Sequence, residues 1–196
     1  MMAPLIQAAP GRGAFQSTKV GGVLQVYTGA ANKSFALGNP GYGVELTADA
    51  GNTYLRYFFK SRFTTSEGTQ NFSDAGTVFN SPYKYIQFSP EIGISFFPVS
   101  RRPQGVNIYL WGVGGVSYNN LELKNIPSTS TISTKDQSFG YGFGGGLGFE
   151  LILSAGSNGN FYLLYGEAGF REARTDLANN NQFQVGGMTY SLGFGF

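Results

Sequence analysis

The sequence predicts an all-β chain: a closed, up-and-down antiparallel transmembrane β-barrel of eight strands, with the apolar face of the ladder turned outward to lipid. Three observations predict it. Eight segments alternate apolar and small or polar residues with period two. Long and short connections alternate strictly between them. The charged residues of the strands fall almost entirely on the face opposite the bulky apolar one. Composition agrees, since 196 residues carry 30 Gly, 18 Phe and 12 Tyr but only 12% charged residues. That is one domain's length, rich in strand-forming aromatics and without runs of helix formers.

In chain order, residues 1–18 contain Pro4, Pro10, Gly11 and Gly13 and read as an irregular periplasmic leader to a barrel spanning 19–196. The first strand is expected over 20–29. The second, 41–50, places Glu45 and Asp49 on one face and Tyr42 on the other. Gly51-Asn52 forms a short turn to the third, 53–63, with Arg56, Lys60 and Arg62 on one parity. The fourth, 83–98, keeps Ile86, Phe88, Ile92, Ile94 and Phe96 on one parity across Pro90. Proline cannot donate to the ladder, so a local irregularity is expected there, though not a one-residue bulge. The fifth, 106–118, points Tyr109, Trp111 and Val113 inward, with Trp111 as lumen filling. The sixth, 139–153, is the clearest: Phe139, Tyr141, Phe143, Leu147, Phe149, Leu151 and Leu153 alternate with Gly140, Gly142, Gly144, Gly146, Gly148 and Glu150. The seventh and eighth are 161–171 and 183–196. Most are long enough to cross a bilayer at barrel tilt, for which roughly 9–11 residues suffice. The connections 30–40, 64–82, 119–137 and 172–182 are long and polar, whereas 51–52, 99–105 and 155–160 are short. Short turns on one side and long loops on the other set both termini on the periplasmic side.

Volume and charge decide which face is outside. An eight-stranded barrel has an interior only just wide enough for side chains to fill it, and faces of Phe and Tyr would overfill it. With the apolar face outward, Glu45, Asp49, Arg56, Lys60, Arg62, Glu91, Glu150, Glu167 and Arg171 point inward, and Lys84, near the loop end of its strand, points out. A membrane imposes this segregation, because Lys or Arg on a lipid face costs about 2–4 kcal/mol at the midplane. Outward aromatics toward both ends, Tyr42, Phe63, Tyr118, Phe139 and Phe170 at one and Phe96, Tyr162, Phe194 and Phe196 at the other, fit two interfacial girdles.

The chain ends MTYSLGFGF, with Met188, Tyr190, Leu192, Phe194 and Phe196 alternating to the last residue. This resembles the C-terminal signature of bacterial outer-membrane barrels. From about Val20 onward the chain resembles the small eight-stranded group that includes OmpX, OmpW and the OmpA transmembrane domain. The resemblance implies a monomer in the bacterial outer membrane, surrounded by lipid or lipopolysaccharide and delivered by the barrel-assembly machinery, which reads the terminal aromatic.

The candidate chemistry is weighed on the same residues. Inward carboxylates invite a reading as an ion pathway or as catalytic acids, but five acidic and four basic groups in a narrow lumen are more simply a paired plug. If Ala50 pairs with Thr53 across the turn, Asp49 lies diagonal to Arg56 and Glu45 to Lys60, and these are the expected ion pairs. The chain has no His and no Cys, which removes the usual base of a nucleophilic Ser and the soft metal ligands. No enzyme activity, cofactor or metal is expected. Gly140 to Gly145 matches GxGxxG without a strand-then-helix context, and Asn71-Phe72-Ser73 carries little weight as a glycosylation pattern. A formal charge of +2 without basic clusters argues against nucleic acid. No segment is a helical span, and residues 1–10 lack a signal sequence, so the numbering is expected to describe a mature chain given a start codon. The β-prone run 128–134 is expected either to extend a hairpin whose edge recruits an extended partner or to lie in a disordered polar loop. The function expected is structural or surface-interacting, through the loops; the alternative is a narrow channel or conduit for small or apolar solutes, and behind it a lipid-modifying outer-membrane enzyme.

Overall fold

The computed structural model describes residues 15–28, 37, 39–74, 77–128, 133–155, 161–177 and 181–196. They form one antiparallel sheet closed on itself, with no helix among them. Its strands are β1 (Phe15–Tyr27), β2 (Gly41–Gly51), β3 (Leu55–Asp74), β4 (Thr77–Phe96), β5 (Gly105–Leu123), β6 (Lys135–Ala155), β7 (Phe161–Leu177), β8 (Asn181–Gln184) and β9 (Gly187–Gly195). Each pairs with its sequence neighbour up to β7, and β9 bridges β7 and β1 to close the barrel. The short β8 continues β9 along β7, where Val185 N–H still donates to the Ala173 carbonyl. The wall is therefore eight strands in up-and-down order, as expected.

Register fixes the shape. Hydrogen-bonded neighbours run from Ser17 through Asp49, Phe58, Gly93, Val113, Gly144, Arg171 and Gly187 and return to β1 at Tyr27, ten residues higher. With about 3.3 Å per residue and about 4.8 Å between strands, that shear tilts the strands by about 40°. One end, called here the turn end, holds Gly51, Leu55, Phe96 and Gly105; the opposite loop end holds the longest strands.

Several boundaries differ from the sequence expectation. β1 begins at Phe15, so residues 15–18 belong to the wall and not to the leader; residues 1–14 lie outside the described residues. Most of the 64–82 connection is strand, because β3 and β4 continue their ladder from Thr64↔Gln87 to Asp74↔Thr77. Its Ser, Thr, Asn and Asp read as loop, yet the backbone ladder continues through them, and Phe79 packs against the apolar cluster at the loop end. Likewise β5 reaches Leu123 and β6 starts at Lys135, which shortens the 119–137 connection. In the run 128–134, Ser128, Ser133 and Thr134 are not strand and the remainder lies outside the described residues, as do most of 30–40 and the turn 156–160. At Pro90 the β3–β4 ladder runs through, while β4–β5 pairing lapses at Ser89 and Pro90 and resumes in the same register, which is an irregularity without a bulge. The register shift among the described ladders lies in β6–β7, between Ile152 and Ser154.

The faces divide as the alternation requires. Tyr57, Ile92, Phe143, Leu147, Leu192 and Phe194 are exposed on the outer wall, whereas Arg56, Lys60, Arg62, Glu45 and Glu150 are buried inside. This inverts the usual rule that charges are almost never fully buried.

Candidate functional site: a layered lumen

The lumen is filled from the turn end upward by four layers. The 97–104 connection turns Phe97 and Arg101 into the mouth, held by Phe97 N–H to the Tyr54 carbonyl at 2.8 Å and Arg101 N–H to the Thr53 carbonyl at 2.9 Å. This carries Arg101 Nε to 2.7 Å from Glu150 Oε2. Lys19 Nζ lies 2.7 Å from Glu150 Oε1 and 3.1 Å from Asp49. Arg56 pairs with Asp49 and approaches Glu150 at 3.5 Å, and Ser17 donates to Asp49 at 2.7 Å. Three cations thus share two carboxylates.

Above them, Arg62 holds Glu45 at 2.9 Å, Lys60 pairs with Glu167 and lies 3.7 Å from Glu45, and Tyr109 and Tyr165 donate to Glu167 and Glu45 at 2.9 and 3.1 Å. The aromatics of this layer also face the ammonium groups: Lys19 sits 5.3 Å from the Tyr109 ring centroid and Lys60 sits 5.5 Å from that of Trp111. Trp111 fills the lumen and donates Nε1–H to the Leu147 carbonyl at 3.2 Å. Glycines provide the room. A Cβ on Gly148 would stand 2.3 Å from the Tyr109 ring, and one on Gly169 would stand 2.4 Å from Trp111. The bare face of β6 and β7 is therefore the complement of the large lumen side chains of β5.

In the third layer Arg171 pairs with Glu91 across the barrel. Asn119 gathers the polar groups beside them: Tyr85 and Gln87 donate to its Oδ1 at 2.6 and 3.1 Å, and its Nδ2 donates to Ser117 and Thr175. The fourth layer closes the loop end with apolar side chains, Leu37, Tyr83, Leu121, Leu123, Leu177 and Val185. The Asn39 N–H donates to the Tyr83 hydroxyl at 3.2 Å, which ties the neighbourhood of Leu37 to this lid.

All nine charged residues read as inward from sequence are buried in this lumen. Asp49 meets Arg56 and Glu45 meets Lys60, but not through the expected register: Ala50 pairs with Tyr57, because Asn52 Oδ1 accepts from the Tyr54 and Leu55 N–H groups and widens the turn. The slip is even in residues, so every side chain keeps its face and the diagonal pairs survive. Sequence reading missed Lys19, placed ahead of the first strand, and Arg101, placed in a turn. The parity Lys19, Gly21, Val23, Gln25 was the available signal for the first; nothing in sequence signals the second. Lys84 is outward and exposed, 3.3 Å from Glu67. Tyr190, Leu192, Phe194 and Phe196 all point outward and are exposed.

Lumen carboxylates face cations, and no group of three His, Cys, Asp or Glu among the described residues could hold a metal. A concavity of about 1130 Å³ is lined mainly by outward residues such as Ala48, Ala50, Tyr57, Phe59 and Ile92, so it lies on the outer wall and is not a passage through the barrel.

No family model matches the chain, and no curated protein matches it. Solved structures do. The chain is similar to Ail, the attachment invasion locus protein of Yersinia pestis, solved with the heparin analogue sucrose octasulfate, at 14% identity and a TM-score of 0.54 over 92% of this chain and 97% of that one. It is similar to Neisserial surface protein A at 13% identity and a TM-score of 0.53, covering 94% and 98%. A major outer membrane protein of Thermus thermophilus matches at 14% identity and a TM-score of 0.53, covering 92% and 98%. The chain has the fold of the small eight-stranded outer-membrane barrels.

Proposed function

We propose that this chain is an integral barrel of the bacterial outer membrane, with both termini on the periplasmic side, that serves as a closed scaffold and interacts with its surroundings through the loop end. The observation that carries the reading is the inverted polarity of the wall: exposed Phe, Leu and Ile on the outside, buried and paired Lys, Arg, Asp and Glu within. Only a hydrocarbon solvent stabilises that inversion, and a closed sheet satisfies the backbone there. Likeness in fold to outer-membrane proteins supports the same location.

The lumen is read as a plug, since an apolar lid covers one mouth and the Arg101 turn the other. The loop end is read as the interacting surface because β3 and β4, at 20 residues each, outrun the 11 of β2 and raise a hairpin beyond the wall. Lipid or lipopolysaccharide is the proposed surrounding partner, the assembly machinery the partner during insertion, and the working unit a monomer without catalytic activity.

Planar-bilayer recording on refolded chain tests the plug: the expected result is no conductance above the lipid baseline, and reproducible unitary steps would replace this reading with the channel. A folded, monodisperse chain in detergent-free buffer would refute the membrane assignment itself.

A further inference from the structure

We infer that the wall beside Pro90 contains a binding site for one water molecule, set into the lumen side of the β4–β5 seam. The ladder pairs Phe88 with Tyr118 and Glu91 with Gly115 but omits the two pairs between them, Ser89 with Ser117 and Pro90 with Val116. Proline offers no N–H, so the backbone of Val116 lacks the ladder donor that any other residue would supply. Hydrocarbon on the outer side offers no replacement under the membrane reading. The replacement has to come from within the barrel.

A cavity of about 10 Å³ lies against this gap on the inside, lined among others by Gln25, Ser89, Glu91, Val116, Ser117 and Arg171. Val116 is 57% exposed with its side chain on the outer wall, so it reaches the cavity through its backbone. The volume is that of roughly one water-sized sphere, near the minimum for an ordered water. Two buried side-chain atoms point to the same ligand. Gln25 Oε1, an acceptor, and Arg171 Nε, a donor, have no hydrogen-bond partner among the described residues, in residues 1% and 7% exposed. A water that accepts from Arg171 Nε–H and donates to Gln25 Oε1 and to the backbone at Val116 meets all three demands. An apolar occupant would meet none, and a cation would sit against the Arg171 guanidinium.

The membrane reading enters only through the outer side of the wall; the test reads the inner side, so either can fail alone. In refolded, perdeuterated chain in deuterated micelles, cross-relaxation with long-lived water is expected at the Gln25 side-chain amide and the Ser117 N–H. Ser89→Val fills the cavity and should abolish both signals while heat-modifiable gel mobility is retained. Absence of the signals in folded wild type, or their survival in Ser89→Val, overturns the proposal. Should Ser89→Val not fold, a crystal structure of the wild type decides: an isolated density peak within hydrogen-bonding distance of Gln25 Oε1 and Arg171 Nε supports the site, and an empty cavity overturns it.

Discussion

Replacing Glu150 with Gln keeps the shape of the side chain and removes the one charge that three cations share. Lys19 and Arg101 stand at 2.7 Å from its oxygens and Arg56 at 3.5 Å, around a side chain with no exposed surface. A unit charge pair at 4 Å and an effective dielectric of 20 is worth about 4 kcal/mol before desolvation, so the three contacts together are large and are offset by the cost of burying the groups. Glu150→Gln leaves that burial cost and removes the compensation, which in buried pairs destabilises by about 3–5 kcal/mol. Asp49 still faces Lys19 and Arg56, which places the expectation at the lower end, about 3 kcal/mol. The assay is reversible urea unfolding of refolded protein in micelles, followed by the fluorescence of Trp111, the single tryptophan of the chain. Glu172→Gln is the control, because its partner Arg174 is exposed to solvent and an ion pair of that kind adds little to stability. Adding Lys19→Met to Glu150→Gln should recover part of the loss by removing one of the crowded cations. A Glu150→Gln protein within about 1 kcal/mol of wild type, or a double variant worse than the sum of the singles, would refute the account of the lumen as a mutually compensated charge cluster.

The other expectations follow from the wall. Leu147→Arg, on the outer face of β6, should cost about 2–4 kcal/mol by the same urea assay in lipid vesicles, and Phe139→Arg, at the loop-end interface, about 0–1 kcal/mol; equal costs would argue against hydrocarbon around the belt. Gly146→Ala should destabilise by about 1–3 kcal/mol, since a Cβ there would stand 2.1 Å from the Ala168 carbonyl oxygen. Gly112→Ala should fold without penalty, because its nearest neighbour would be 4.0 Å away. Deleting Phe196 should lower the amount of barrel inserted in cells, measured by heat-modifiable mobility of outer-membrane fractions, while refolding in detergent proceeds as in wild type. A parallel loss in both would assign the terminal aromatic to stability and not to assembly.

How much of this was legible in the sequence depends on whether one residue's face or two residues' partnership is asked for. Faces follow from parity, and parity survives errors in register: the β2–β3 ladder sits four residues from the expected pairing, yet Asp49, Glu45, Arg56 and Lys60 remain inside and still meet. Partnerships depend on turns. Asn52 caps its own turn through Oδ1, an interaction that the dipeptide Gly51-Asn52 does not distinguish from a two-residue hairpin. Arg101 was illegible for a different reason, since no periodicity applies to a connection, and only the closed barrel shows that Phe97 and Arg101 turn inward. The projecting β3–β4 ribbon escaped because its residues are mostly Ser, Thr, Asn, Gln and Gly with no sustained apolar alternation, which in sequence looks the same as loop. The eighth strand was correct in face but continuous in expectation, whereas it lapses at Val185 and Gly186.

The glycines connect these levels. Gly148 and Gly169 have no side chain because Tyr109 and Trp111 occupy the space opposite, and those aromatics in turn place a hydroxyl on Glu167 and a ring face toward Lys60. Removing water from the lumen is what makes the ion pairs strong and their loss costly, and it is the glycine-for-aromatic exchange across the barrel that removes it. A smaller side chain at Tyr109 should therefore weaken the Lys60–Glu167 pair even though neither charged residue changes: water admitted beside Glu167 raises the local dielectric, and the hydroxyl that fixes Oε1 is gone. Tyr109→Ala together with Lys60→Met should then cost less than the two singles summed, whereas strict additivity would mean that packing and charge in this lumen are independent.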